Sequence, residues 1–218
     1  KPYEVSDAVN LRSRERRCHR ARRPHEEACR VFVREHVEEM EQRRAVAVLG
    51  SGLMRDVPLN TLSKMFDKVY LYDLVHLPAI RWHALLRGWR NVEFVEVDLS
   101  DEVNLEFLKK MPELDLVSSA TLLSQMTVEL LDDDMTVEAA DLARAHMANL
   151  FMAPWSGCLL TDISYEEKNR AGEVVRSGDL LAGVEPPEAE HHWHWTVVPF
   201  GEVDKEHETI HNVIAVWK

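Results

Sequence analysis

The chain has 218 residues, of which 45% are apolar and 29% charged, a composition typical of one globular domain that buries its core without disulfide support. Its formal net charge of −12 disfavours binding to the phosphate backbone of nucleic acids. No apolar run approaches the roughly 20 residues needed to cross a membrane, so we expect neither a nucleic acid nor a membrane as its partner.

The N-terminal segment, residues 1–44, is predicted to be a helical arm or lid. Residues 12–23 contain seven Arg and one Glu, which indicates a solvated helix face or, alternatively, a contact for an anionic partner. Pro24 suits the first turn of a helix. Beyond it, apolar residues recur at helical spacing and predict a face packed on the core: Cys29, Phe32, Val33, Val37 and Met40.

Residues 45–218 are predicted to form the main domain, because short apolar runs alternate with helical patterns from Ala45 onward. Such alternation is typical of βαβ units and a parallel sheet. The predicted strands are Ala45–Leu49, Lys68–Tyr72, Val92–Val97, Leu114–Ser118 and Gly157–Ser164. The predicted helices lie near Val57–Phe66, Leu77–Gly88, Glu102–Lys110 and Thr136–Met152.

The C-terminal part departs from this alternation. Residues 165–190 are polar and contain three glycines and a Pro-Pro pair, which predicts a long loop or lid with a small helix near Leu180. Two further strands, Trp193–Pro199 and His211–Trp217, are separated by too few residues for a crossover helix. We therefore expect this closing pair to be antiparallel.

Small or acidic residues follow the first three predicted strands. Gly50 and Gly52 follow the first strand, Asp73 ends the second and Asp98 ends the third. Ligands of open parallel sheets bind outside the carboxyl ends of the strands, and glycine allows the backbone to approach a ligand closely. Two carboxylates there suit an adenosine ligand, through its ribose hydroxyls and its adenine amino group. Taken singly, the glycines also fit a tight turn and the aspartates fit helix N-caps.

These segments, AVAVLGSGLMRDVPL, VYLYDL and VEFVEVDLSD, resemble the cofactor half of class I S-adenosylmethionine-dependent methyltransferases. The closing strand pair is similar to the reversed final strands of that family. The resemblance covers roughly residues 45–218. It implies an α/β Rossmann-like, three-layer sandwich with a seven-stranded, mostly parallel sheet. The implied strand order is 3-2-1-4-5-7-6, strand 7 is antiparallel, and the N-terminal helices are an extension.

The resemblance also implies a cofactor, S-adenosylmethionine, with S-adenosylhomocysteine as product. By position, Gly50, Ser51 and Gly52 would form the loop under its methionine part. Asp73 would hold the ribose, with Leu74 beside the adenine. The remaining implied contacts are Asp98 and Leu99 at the adenine edge, and Ser118 and Ser119 beside the transferred methyl group.

Two positions depart from the family's pattern. The family has an acidic residue two positions before the first glycine, where this chain has Val48, and a third glycine where this chain has Met54. Arg55 and Asp56 follow the loop and are possible substitutes for the missing carboxylate contact. We expect methyl transfer to a small-molecule acceptor. One alternative is an inactive relative that binds an adenosine ligand or a protein partner. Another is an NAD(P)-dependent reductase, but Arg55 stands where the G-x-G-x-x-G fingerprint requires its last glycine, and the closing strand pair also argues against it.

The chemistry of transfer is carried by few recognisable residues. Methyl transfer depends mainly on positioning and sometimes on a general base. His191 and His194, in the segment HHWHW, and Asp162, at the end of the fifth strand, are the predicted catalytic residues. On a strand His191 and His194 face opposite sides. The other interpretations are an edge strand with aromatic packing and solvated histidines, and a metal site on His192 and His194, which are two residues apart and share one face of the strand. If the N-terminal helix covers the pocket, His19, Arg20 or His25 would also face the substrate.

The cysteines argue against a structural metal or a disulfide framework. Cys18, Cys29 and Cys158 are the three cysteines of the chain, an odd and sparse set that fits a reducing, cytoplasmic location. Cys18 and Cys29, even with the nearby histidines, do not have zinc-site spacing. We therefore predict no metal.

Overall fold

A computed structural model describes the backbone of residues 2–52 and 54–218, with the side chains of residues 20–52 and 54–218. The helices are α1 Pro2–Glu39, α2 Leu59–Met65, α3 Pro78–Leu86, α4 Glu106–Lys109, α5 Leu122–Asp132 and α6 Thr136–Phe151. The strands are β1 Ala45–Leu49, β2 Lys68–Asp73, β3 Val92–Glu96, β4 Leu114–Ala120, β5 Ser156–Asn169, β6 Val174–Asp179, β7 His191–Val198 and β8 His207–Trp217. Within the described residues, no helix is long and apolar enough to cross a membrane.

One sheet with strand order β3-β2-β1-β4-β5-β8-β7 organises the chain. Strands β1 to β5 pair in parallel, and β8 runs antiparallel to both β5 and β7. The predicted fold class and strand order are confirmed, with β7 and β8 as the predicted sixth and seventh strands. The predicted number of seven is one too few, since β6 pairs with β5 outside this path.

The extra strand corrects the prediction of a loop at residues 165–190. Strand β5 continues to Asn169, beyond the end of its pairing with β4, and turns through Gly172 at φ +81° into β6. Most residues of this hairpin are polar, and Val174 and Val175 are adjacent and about half exposed, so the hairpin lacks the apolar alternation by which strands are recognised. No helix forms at Leu180; there the carboxylate of Asp179 accepts hydrogen bonds from the backbone amides of Leu181 and Gly183.

Hydrophobic residues fill both sides of the sheet. One cluster lies under α5 and α6 and includes Leu49, Leu123 and Leu150. The other lies under α1 and α2 and includes Val33, Val48 and Leu62. These two layers give the three-layer architecture, because each helix layer covers one face of the sheet.

Helix α1 is continuous through Pro24, so the predicted helix start at this residue is wrong. Proline lacks the N–H that would bond the carbonyl four residues earlier, and a helix of 38 residues tolerates that single loss. The predicted inner face is confirmed: Cys29, Phe32, Val33 and Val37 are buried, while Met40 packs at the margin of the core. Helix α1 thus shares its core with the main domain.

Helix α5 was not predicted. It begins directly after β4, behind Thr121 at φ +57°, with no side-chain cap. Threonine is a residue type that caps helices, but Thr121 follows the strand directly and no glycine or proline marks the boundary between the two elements. Leu123 and Met126 of α5 are buried against the sheet.

Candidate functional site

The loop after β1 is tied to the end of β2. The backbone amide of Gly50 donates to the carbonyl of Tyr72 at 3.0 Å. The amide of Gly52 donates to Asp73 Oδ2 at 2.5 Å, and the amide of Leu74 donates to Asp73 Oδ1 at 2.8 Å. The sequence prediction that the glycines and Asp73 meet at one edge of the sheet is therefore confirmed.

Asp98 lies at the same edge. The amide of Val97 donates to the carbonyl of Asp73 at 2.9 Å, which places the ends of β2 and β3 side by side. Asp98 is exposed, and its Oδ1 accepts from the amide and the hydroxyl of Ser100 at 3.1 and 2.6 Å. Neither aspartate caps a helix, because α3 begins only at Pro78 and α4 only at Glu106.

Further residues at this edge differ in accessibility. Leu74 is 43% exposed, whereas Leu99 belongs to the core under α5. Glu129 of α5 has a pKa raised by partial burial and by the charge of Asp98. An acidic surface therefore borders the end of β3.

The glycine loop has a backbone that favours glycine at three positions. Gly50 has φ +73°, and a Cβ there would lie 2.7 Å from Leu122 Cβ and 3.1 Å from the carbonyl oxygen of Ala120. Gly52 has φ +45°, and a Cβ there would make an ordinary contact, 3.9 Å from the carbonyl oxygen of Gly50. Met54 also has a left-handed φ, +58°. The position of the family's third glycine thus keeps that conformation although its residue has changed.

The residues of this edge fit an adenosine ligand. Among the described residues, Asp73 accepts two hydrogen bonds, whereas a carboxylate has roughly four acceptor positions. This leaves capacity for ribose hydroxyls. The hydroxyl of Ser51 is buried without a hydrogen-bond partner among the described residues, and buried polar groups normally have one. Val48 is fully buried in the core and offers no polar contact.

Ser118 and Ser119 do not reach the strand end. Strand β4 continues to Ala120, and both serines are fully buried within it. The hydroxyl of Ser119 is 2.8 Å from His146 Nε2 of α6. The hydroxyl of Ser118 has no hydrogen-bond partner among the described residues. In the register of β4 with β1, Ser118 lies opposite Val48 and Ser119 opposite Leu49, so both are within two residues of the edge where Gly50 follows β1. Their role beside the transferred methyl group stays a prediction.

A second group of polar and aromatic side chains surrounds Asp162, on the α1 side of the sheet. Asp162 is 7% exposed, and both of its carboxylate oxygens accept hydrogen bonds. Trp195 Nε1 donates to Oδ1 and His211 Nδ1 donates to Oδ2, each at 3.0 Å. We call the group of Asp162, Trp193, Trp195, His211 and His25 the Asp162 cluster.

His25 of α1 completes this cluster. Its ring stacks on Trp195 with centroids 4.2 Å apart, and Trp193 Nε1 donates to His25 Nδ1 at 3.0 Å. Burial lowers the pKa of His25 to about 4, against the opposing effect of the Asp162 charge. The guanidinium of Arg22 lies 5.0 Å from the ring centre of Trp195. His25 was one of three residues expected to face the substrate if α1 covers the site.

Helix α1 also contacts the segment that follows the glycine loop. Arg30 Nη1 donates to the carbonyl of Arg55, and Glu26 lies 3.9 Å from the guanidinium of Arg55. Asp56 Oδ1 is 3.7 Å from His25 Nε2. Arg55 and Asp56 therefore connect α1 to the glycine loop. Of the other two residues expected here, Arg20 is exposed and the side chain of His19 lies outside the described residues.

Three side chains of this region come close enough together for a metal ion. Ligand atoms of His25, Cys29 and Asp56 all lie within 4.8 Å of one another. However, the bond from Trp193 into His25 Nδ1 puts the proton of the neutral ring on Nε2, the nitrogen that faces Asp56. Burial also raises the pKa of the Cys29 thiol well above its usual value, whereas metals bind the thiolate. Metal binding would have to break this hydrogen-bonded arrangement.

The structure does not bring His191 or His194 to Asp162. Both are exposed on β7, and their register partners on β8 are Ala215 and Asn212. The partner of Asp162 is instead His211, which sequence reasoning missed. The predicted antiparallel pairing of the last two strands was the signal that could have located His211, because His211 lies opposite Trp195 in the register of that pair. A catalytic role for His191 or His194 stays a prediction.

Comparisons with known proteins give no close relative. No protein-family profile matches the chain, and no curated protein matches it significantly. Among solved structures, it is similar to 1,6-didemethyltoxoflavin-N1-methyltransferase of Burkholderia thailandensis, with 16% identity, 98% of this chain and 90% of that chain covered, and a TM-score of 0.43. It is also similar to precorrin-6y C5,15-methyltransferase of Geobacter metallireducens, with 12% identity, 86% of each chain covered, and a TM-score of 0.40.

The YcgJ protein of Bacillus subtilis is similar over 62% of this chain, at 11% identity and a TM-score of 0.39. This alignment spans 51%, or about half, of the length of YcgJ. Likeness at such identities does not transfer an activity. The strand order of the chain's own sheet, with its reversed β8, is that of the class I methyltransferase fold.

Proposed function

We propose that this chain binds S-adenosylmethionine at the carboxyl ends of β1, β2 and β3 and transfers its methyl group to a small-molecule acceptor. The observation that carries the proposal is the bond from the Gly52 amide to Asp73, which joins the glycine loop to a carboxylate with unused acceptor capacity. It lies where ligands bind in open parallel sheets.

In this proposal Gly50, Ser51 and Gly52 hold the methionine part, and Asp73 accepts the ribose hydroxyls. Leu74 covers the adenine, while Asp98 and Leu99 lie at its edge. When bound, S-adenosylmethionine supplies an electrophilic methyl group and leaves as S-adenosylhomocysteine. Ser118 and Ser119, which lie opposite Val48 and Leu49 of β1, are proposed to lie beside the transferred methyl group.

A small-molecule acceptor is favoured by two features. The net charge of −12 opposes association with a polyanion. Helix α1 covers the side of the site next to the Asp162 cluster through its contacts with Arg55 and Asp56. A covered site admits a compact acceptor more readily than a folded macromolecule.

The proposal is tested by incubating the protein with methyl-labelled S-adenosylmethionine and a desalted small-molecule extract, and in parallel with total RNA and with protein. We expect label in the small-molecule fraction only. Label in RNA or protein would overturn the acceptor class. Calorimetric titration with S-adenosylhomocysteine and with NADH decides the cofactor class, and we expect heat only from the former.

The second candidate function is binding without turnover. Two replacements favour it. Val48, which is fully buried, stands where the family's pattern has an acidic residue, and Met54 stands where the pattern has a glycine. In that case S-adenosylhomocysteine binds, but no fraction acquires label.

A further inference from the structure

The bond between Asp162 and His211 fixes which nitrogen of that histidine carries its proton. A carboxylate only accepts hydrogen bonds, so His211 Nδ1 is the donor across the 3.0 Å contact. In the neutral ring the lone pair is then on Nε2. His211 Nε2 has no hydrogen-bond partner among the described residues, and the side chain is 19% exposed. The basic nitrogen is therefore accessible.

The carboxylate itself is held in place. Trp195 donates to its other oxygen at 3.0 Å, and the ring of Trp195 is fixed by stacking on His25. The buried His146 differs, since its Nε2 contacts Ser119 inside the core and its ring is inaccessible. Of the two, only His211 combines an orienting carboxylate with an open nitrogen.

The pair lies at the edge of the sheet where the cofactor site is proposed. The carbonyl of Leu160 accepts from the amide of Thr121 at the end of β4, and Asp162 is two residues farther along β5. On the other side, His25 of the cluster approaches Asp56, which follows the glycine loop. These two contacts connect the Asp162 cluster to the strand ends and to the glycine loop at which the cofactor site is proposed.

We propose that His211 is the general base of this site, that Asp162 is its positioning residue, and that the acceptor presents a hydroxyl group. This inference rests on the proposed methyl transfer. The acceptor O–H proton passes to His211 Nε2 as the acceptor oxygen bonds to the methyl carbon and the carbon–sulfur bond breaks, its electrons remaining on sulfur. A hydroxyl is the acceptor that gains most from such a base, because it is a poor nucleophile while protonated.

The dyad is tested first without turnover. Long-range ¹H–¹⁵N spectra of histidine-labelled protein should show His211 protonated at Nδ1. In Asp162→Asn the amide still accepts from Trp195 but donates to His211 Nδ1, so the proton should move to Nε2. Carbethoxylation at Nε2 by diethyl pyrocarbonate should then slow about tenfold at His211, with the exposed His194 as internal control. Protonation at Nε2 in the unmodified chain would overturn the proposal.

The second test uses His211→Gln with two readouts. We expect S-adenosylhomocysteine affinity to stay within about twofold and label transfer to the small-molecule fraction to fall at least a hundredfold. Label transfer that survives in this variant would overturn the role of His211. An unmodified chain that binds no S-adenosylhomocysteine would instead refute the proposed function, and the proton position of His211 would still be read from the spectra.

Discussion

Replacing Gly50 by alanine tests whether the glycine loop is packed as tightly as the structure describes. A left-handed φ costs an alanine about 1–2 kcal/mol. The added Cβ would also lie 2.7 Å from Leu122 Cβ, and overpacking costs roughly 1–3 kcal/mol more. Gly88 is a matched control: its φ is +72°, but nothing lies within 4 Å of an added Cβ.

Both variants restrict the unfolded chain equally, so the difference between them isolates the steric contact. We expect Gly50→Ala to lower the free energy of unfolding by about 1–3 kcal/mol more than Gly88→Ala does. Urea denaturation followed by circular dichroism measures both values. Each kcal/mol corresponds to roughly 2–4 °C in Tm for a chain of this size. Equal losses in the two variants would refute the close approach of the loop to α5.

Three further outcomes are expected. Burial lowers the pKa of His146 to about 4. Between pH 6.5 and 4 only the unfolded state therefore binds this proton, and the free energy of unfolding falls as the pH falls, by at most about 1.4 kcal/mol per pH unit. Urea titrations of His146→Gln should show a shallower decline with pH than those of the unmodified chain, and parallel curves would contradict this. Zinc should leave the Tm unchanged at concentrations that saturate a true site; a rise that is lost in Cys29→Ala would show that the hydrogen-bonded group binds metal. Gly178→Ala should destabilise the β5–β6 hairpin, because its Cβ would lie 2.5 Å from the ring of Tyr165. The same substitution in a Tyr165→Ala background, where that ring is removed, should cost less, and equal losses in the two backgrounds would contradict the contact.

The parallel core of the fold was predictable because buried strands are continuous apolar runs. The strand AVAVL, for example, is fully buried on both faces as β1, which is typical of central parallel strands. The hairpin of β5 and β6 was not predictable in this way, because its strands project beyond the packed faces of the sheet and carry mostly polar residues. Helix α5 was missed because only one residue, Thr121, separates it from β4, so the sequence shows no turn segment between the two elements.

The glycine-loop edge and the Asp162 cluster also differ in how far the sequence predicts them. The edge with Gly50, Gly52 and Asp73 follows from strand ends, which chain order alone locates. The Asp162 cluster joins β5, β7, β8 and α1, and its members are up to 186 residues apart, from His25 to His211. Such a set depends on the register of antiparallel strands and on the position of a helix. Asp162 was predicted from its place near a strand end, whereas predicting His211 would have required the register in which β7 pairs with β8.

The measurement that tests the central claim most directly is calorimetric titration of S-adenosylmethionine into the unmodified chain, Asp73→Ala and Asp204→Ala. Asp204 also accepts a backbone amide bond, from Glu206 at 2.9 Å, but lies in the turn before β8. We predict micromolar binding to the unmodified chain and to Asp204→Ala, and a loss of at least tenfold in Asp73→Ala. No binding to the unmodified chain, or equal binding to all three proteins, would contradict the assignment of this edge as the cofactor site.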